Sequence, residues 1–84
     1  MNYNIQIIRT AQKYLSKIQK HDQDAIIKKI QNLATNPRPE GCKKLTGRKA
    51  WRIRIGNYRV IYEIYDRKLI ILVIVIRHRR DAYK

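Results

Sequence analysis

The stretch Trp51-Arg52-Ile53-Arg54-Ile55-Gly56-Asn57-Tyr58-Arg59-Val60-Ile61-Tyr62 decides the fold. Apolar and charged residues alternate from Trp51 to Ile55, which is the period of a half-buried strand. Gly56-Asn57 is a two-residue hairpin signal, because both residue types accept the left-handed backbone of a tight turn. With that pair as the loop, Ile55 is expected opposite Tyr58, Arg54 opposite Arg59, Ile53 opposite Val60 and Trp51 opposite Tyr62. Trp51, Ile53, Ile55, Tyr58, Val60 and Tyr62 then share one face, while Arg52, Arg54, Arg59, Ile61 and Glu63 share the other. Like charges directly opposite destabilise a ladder by roughly 0.2–1 kcal/mol. Two facing arginines therefore point to a focused positive field and a polyanionic target.

Toward the C-terminus, Asp66-Arg67 is expected as the next turn. Leu69 to Ile76 is apolar at every position, and far shorter than the roughly 20 residues a helix needs to cross a bilayer. It reads as a central strand covered on both faces. Arg77 and His78 leave this strand beside the arginine face, which would bring Arg52, Arg54, Arg59, Arg77, His78 and Tyr83 into one concave patch.

Toward the N-terminus, Arg38 to Lys49 contains Pro39, Gly41 and Gly47 and little periodicity, so it reads as a basic loop crossing to the sheet. Tyr3 to Ile8 reads as a short first strand. Thr10 is expected to cap a helix whose apolar stripe is Ala11, Tyr14, Leu15 and Ile18. His21 and Asp22 break that stripe, with His21 in the inter-helix turn. Asp22 and Asp24 fall in the first turn of a second helix, where negative charge complements the dipole. Ile26, Ile30, Leu33 and Ala34 form its buried stripe, and Asn36-Pro37 ends it. The expected architecture is α+β: a two-helix hairpin packed on a small twisted, mainly antiparallel four-stranded sheet, in the order β-α-α-β-β-β.

A chain of 84 residues suits one compact domain over 1–84, because it has too few apolar residues for two cores. It carries 20 Lys plus Arg against 6 Asp plus Glu, a formal charge of +14. From Gly41 to Tyr62 there is no acid, while Lys43, Lys44, Arg48, Lys49, Arg52, Arg54 and Arg59 fill the window. Such a block suits nucleic acid, an anionic membrane or an acidic protein partner. Cys42 is the only cysteine, so an intrachain disulfide is excluded. With no signal-peptide pattern either, a cytoplasmic location is expected.

Arginine forks match phosphate oxygens and stay protonated, so Arg52, Arg54, Arg59 and Arg77 are suited to binding phosphate or a charged transition state. Lys43, Lys44, Lys49 and Arg79 are candidates for holding a phosphate backbone. His78 titrates near neutrality, and Tyr83 can donate or accept a proton. Together these groups suit RNA cleavage by attack of the 2′-hydroxyl on the adjacent phosphate, with no metal or cofactor required. The plainer alternative is an electrostatic binding surface, and pattern alone favours it over catalysis. His78 reads equally well as a structural histidine and Tyr83 as an aromatic that pins the tail. Glu63 reads as a counter-ion to the arginines, Glu40 as a weak candidate base, and Tyr65 as an edge-packing residue able to stack on a base.

Four segments carry a resemblance to a known family: Asn36-Pro37, Lys44-Leu45-Thr46-Gly47, Trp51 through Ile64, and His78-Arg79-Arg80-Asp81-Ala82-Tyr83. They resemble the RelE/ParE superfamily of toxins from toxin-antitoxin pairs, over essentially the whole chain. The Gly-x-Tyr-Arg-Val-Ile-Tyr segment is its most specific part. For the RelE branch the resemblance implies an endoribonuclease that enters the ribosomal A site and cuts messenger RNA there. It also implies an acidic antitoxin partner that covers the basic surface, with operator DNA contacted only through the toxin-antitoxin complex. By position, the resemblance places Arg52 and Arg54 where the founding toxin has lysines, Arg59 on the arginine of the Tyr-Arg segment, Arg77 on a later catalytic arginine and Tyr83 on the tail tyrosine. Where a lysine is the base in relatives, arginine cannot replace it, so the resemblance leaves that role to His78, Tyr83 or Glu40. A second branch, similar to ParE, inhibits DNA gyrase without cutting RNA and shares the fold.

Overall fold

A computed structural model describes residues 2–80. The order is β1 (Asn4–Ile7), α1 (Arg9–Ser16), α2 (Lys20–Asn32), β2 (Lys43–Lys44), β3 (Trp51–Ile55), β4 (Tyr58–Tyr65) and β5 (Ile70–His78). The five strands form one sheet in the spatial order β1-β5-β4-β3-β2. β1 runs parallel to β5, and every other pairing is antiparallel. The α+β architecture is the expected one with one strand more. The addition is β2, a two-residue piece of the basic loop whose Lys43 and Lys44 pair with Arg52 and Trp51. No apolar alternation marks so short a strand.

The four expected hairpin pairings, from Ile55↔Tyr58 to Trp51↔Tyr62, are all observed, and Arg52↔Ile61 completes the ladder. Gly56 takes the positive φ of 56° that the turn requires. Both helices cover the same side of the sheet, α1 over β5 and α2 over β3. The core beneath them joins Ala11, Leu15, Ile26, Ile30 and Leu33 to Ile53, Val60, Tyr62, Ile71, Val73 and Ile76. Tyr62 is fully buried, and its hydroxyl donates to the Pro37 carbonyl at 2.7 Å. Burial pushes this phenol far above its ordinary pKa, which keeps the donor in place.

β5 has one irregularity that governs the rest. Its pairing with β4 steps from Ile61↔Val75 to Tyr62↔Val73, leaving Ile74 without a partner on β4. The extra residue is a β-bulge, and it reverses which parity faces the core. Ile71 and Val73 point inward before it, and Ile76 points inward after it. Without the bulge Arg77 would turn toward the helices. The uniformly apolar run hides this reversal, because either parity buries equally well.

Several expectations are corrected. β5 lies between β1 and β4 but is covered on one face only; Ile70, Leu72 and Val75 on the other face remain half-exposed. Thr10 lies inside α1, whose N-cap is Ile8 with no side-chain cap. His21 belongs to α2 rather than to the turn before it, and only Asp22 of the two acids lies in that helix's first turn. α2 ends at Asn32, four residues ahead of Asn36-Pro37, and turns carry the chain onward. The polar side chains of the helix starts make no caps here, so propensity placed the boundaries a residue or more off.

A clasp ties the loops at the far end of the sheet. Arg38 meets Asp66 at 3.0 Å and lies over the Trp51 ring at 5.3 Å, while the Tyr3 hydroxyl donates to Asp66 at 2.6 Å. The Arg38 and Tyr3 donors hold the Asp66 carboxyl below its ordinary pKa.

Candidate nucleic-acid interface

Cross-strand partners share a face, so the pairings assign every strand side chain. Arg54, Arg59 and Arg77 stand in one row across β3, β4 and β5, with Arg54 opposite Arg59 and Arg59 opposite Arg77. The next row is Lys43, Arg52, Ile61 and Val75. Both rows lie on the face the helices leave open. Arg52 is half-buried, and its guanidinium pKa is lowered by that burial and then by the charges of Arg54 and Arg59. Stacking cations against each other this way raises the local potential, which an incoming anion relieves.

The turn shapes the row into a site. Arg54, Gly56, Asn57, Tyr58, Arg59 and Arg79 line a hollow of about 210 Å³. Arg79 reaches it because its backbone N–H donates to the Asn57 carbonyl at 2.6 Å, fastening the end of β5 to the hairpin turn. The Arg80 N–H then donates to His78 Nδ1 at 3.1 Å. Arg54 and Arg59 therefore meet Arg79 around the hollow, while Arg77, Arg52 and Lys43 share the open face beside it.

His78 does not join them. It pairs with Tyr58, directly after Arg77, and so faces the helix side. Its ring meets the Tyr58 ring edge-on at 5.1 Å and 89°, and its backbone N–H donates to the Tyr14 hydroxyl at 2.8 Å. Adjacent residues in a regular strand point to opposite faces, so Arg77 and His78 do not share the arginine face. Lys44 is displaced for the same reason, lying opposite Trp51. Lys49 sits with Lys44, Thr46, Gly47 and Arg48 around a separate hollow at the tip of the β2–β3 hairpin, at the end of β3 away from the arginine row. Glu63 accepts the Tyr65 hydroxyl at 2.6 Å. It stands four residues along β4 from Arg59, about 13 Å at the usual strand rise. Glu40 occupies an exposed turn and does not line the arginine hollow. Tyr83 falls outside the described residues.

The residue that sequence reasoning undervalued is Asn57. Its type signals only half of a turn, yet its carbonyl positions Arg79.

The profile of the family described as ParE toxin of the type II toxin-antitoxin system, parDE, matches residues 5–83. The chain belongs to the RelE/ParE superfamily of type II toxins. It is 32% identical to the proposed toxin RelE1 of Methanocaldococcus jannaschii, covering 100% of this chain and 98% of that protein. A proposed RelE-like toxin of Escherichia coli is 28% identical, over 99% of this chain and 92% of its own length. The crystal structure of the archaeal RelE-RelB complex from Pyrococcus horikoshii superposes with a TM-score of 0.85 at 26% identity, covering 94% of this toxin and 97% of that chain.

Proposed function

We propose that this toxin is a ribosome-dependent endoribonuclease that cuts messenger RNA by attack of a 2′-hydroxyl on the adjacent phosphate. The observation that carries the reading is the row Arg54–Arg59–Arg77, closed by Arg79 at the hairpin turn. The guanidinium groups of Arg54, Arg59 and Arg79 around the hollow, with Arg77 beside Arg59 in the row, suit the extra negative charge of a pentavalent phosphate. Arg59 and Arg77 take that role; Arg52, Arg54 and Lys43 hold flanking phosphates. The row supplies no base, because arginine stays protonated. Proton transfer falls to Tyr83, and His78 acts as a positioning residue that fixes the turn bearing Arg79. Activity would then require no metal or cofactor.

The partner of this reading is an acidic antitoxin. The open face pairs its cationic end with the half-exposed apolar side chains of Ile61, Ile70, Leu72 and Val75, a surface a protein chain can cover. The complex, rather than the toxin alone, would contact operator DNA. The setting is cytoplasmic, and among the described residues no helix is long and apolar enough to cross a membrane.

A second reading, gyrase inhibition without RNA cleavage, is favoured by one observation: the matching profile is named for ParE. Mapping 5′ ends of cellular messages after expression without antitoxin separates the two. Cuts at fixed positions within codons are expected. Intact messages together with gyrase-dependent DNA breaks would replace the first reading by the second.

A further inference from the structure

Behind the Gly56-Asn57 turn, on the helix side of the sheet, lies a second hollow of about 300 Å³. His21, Asp22 and Ala25 of α2 form one wall, and Ile55, Tyr58 and His78 form the other. This hollow and the arginine hollow share Gly56, Asn57 and Tyr58, so they lie on either side of one turn. Its floor is the half-buried row Ile55, Tyr58 and His78, with two rings already fixed edge to face. Asp22 is half-buried and forms no ion pair among the described residues, in a chain with 20 basic side chains. The cleavage chemistry uses neither Asp22 nor His21.

We infer that this hollow is a nucleobase subsite, which takes the base next to the phosphate held by Arg54, Arg59 and Arg79 and favours one presenting an amino group to Asp22. The inference rests on the RNA reading of the arginine row and adds its base selectivity. A single strand crossing the sheet rim at the turn leaves its phosphate on the arginine side and can swing the neighbouring base to the other. Unpaired bases are recognised by aromatic stacking and by hydrogen bonds along their edges. Tyr58 and His78 provide the rings. An unpaired carboxylate accepts from the amino groups of cytosine, adenine or guanine, whereas uracil presents two carbonyl oxygens and one N–H. The volume sits at the low end of small-ligand sites, which run from roughly 300 to 1,000 Å³, and so suits one base.

The test is binding of 2′-O-methyl RNA pentamers, differing only in the central base, to the full-length toxin and to Asp22→Asn and Arg54→Ala. Wild type is expected to prefer an amino-bearing base over uracil by about tenfold, the size of one good base contact. Asp22→Asn should level that preference while keeping the salt dependence and the folded state, with at most a small fall in thermal midpoint from the loss of a first-turn carboxylate. Arg54→Ala should weaken all pentamers alike and lower the salt slope by about one. Tight, salt-dependent binding with no base preference, or a preference that survives Asp22→Asn, overturns the subsite and leaves the arginine row standing. Failure of any pentamer to bind removes both. An Asp22→Asn protein with unchanged RNA preference but a weakened complex with an acidic antitoxin assigns the hollow to the protein partner and overturns the inference.

Discussion

The two faces of the sheet come from one alternating string and have opposite tasks. The helix face carries Ile53, Val60, Tyr62, Val73 and Ile76, all buried, and ends in the Tyr58–His78 ring pair. The open face carries Arg54, Arg59 and Arg77 in one row and Lys43 and Arg52 in the next. Neighbours one residue apart thus belong to different economies, one of packing and one of charge. What separates them is parity, and on β5 parity depends on the bulge at Ile74.

Removing the bulge is the harshest way to break this comparison. Deletion of Ile74 would force either Arg77 or the inward set of β5 onto the wrong face. An unpaired arginine under the helices costs several kcal/mol, so urea titration should show loss of most of the folded protein. A deletion protein that folds normally and keeps its activity would refute the role given to the bulge.

Truncation on either face sharpens the contrast. Ile26→Ala removes a fully buried side chain and is expected to cost about 2–5 kcal/mol, read as a lower urea midpoint. Arg77→Ala, at an exposed position, should leave stability within about 0.5 kcal/mol of wild type, and Arg59→Ala should cost far less than Ile26→Ala. Yet each should abolish growth arrest when expressed without antitoxin. A stability loss comparable to Ile26→Ala would show that the arginines belong to the fold.

The smallest effect lies at the clasp. The Asp66 carboxyl has a depressed pKa in the folded toxin because Arg38 and Tyr3 donate to it. A depressed carboxyl contributes stability above its unfolded pKa of about 4, and the contribution disappears as pH falls through the lower folded value. Asp66→Asn should therefore lower the thermal midpoint at pH 7 and leave it nearly unchanged at the acid end of that window. An equal loss at both pH values would contradict the assignment.

Much of this arrangement was legible in the amino-acid sequence. Alternation over Trp51–Ile55 and the Gly56-Asn57 turn determine a register and, with it, the faces of Arg52, Arg54 and Arg59. β2 was not legible, because two lysines in a loop carry no period. Nor was the bulge, since Leu69–Ile76 is apolar whichever side it shows. His78 is misplaced for a simpler reason: adjacency groups it with Arg77, and outside a bulge adjacent strand residues point to opposite faces. Asn57 holds Arg79 through its backbone carbonyl, an atom every residue has, so its type carried no signal.

The most direct test of the central claim is cleavage on reconstituted ribosomes, with purified toxin and a single messenger whose A-site codon is defined. Wild type should cut once within that codon, and Arg59→Ala and Arg77→Ala, folded as judged by urea titration, should cut at least about a hundredfold more slowly, as expected for loss of a transition-state charge contact. Equal cutting by all three proteins, or none by the wild type, would contradict it.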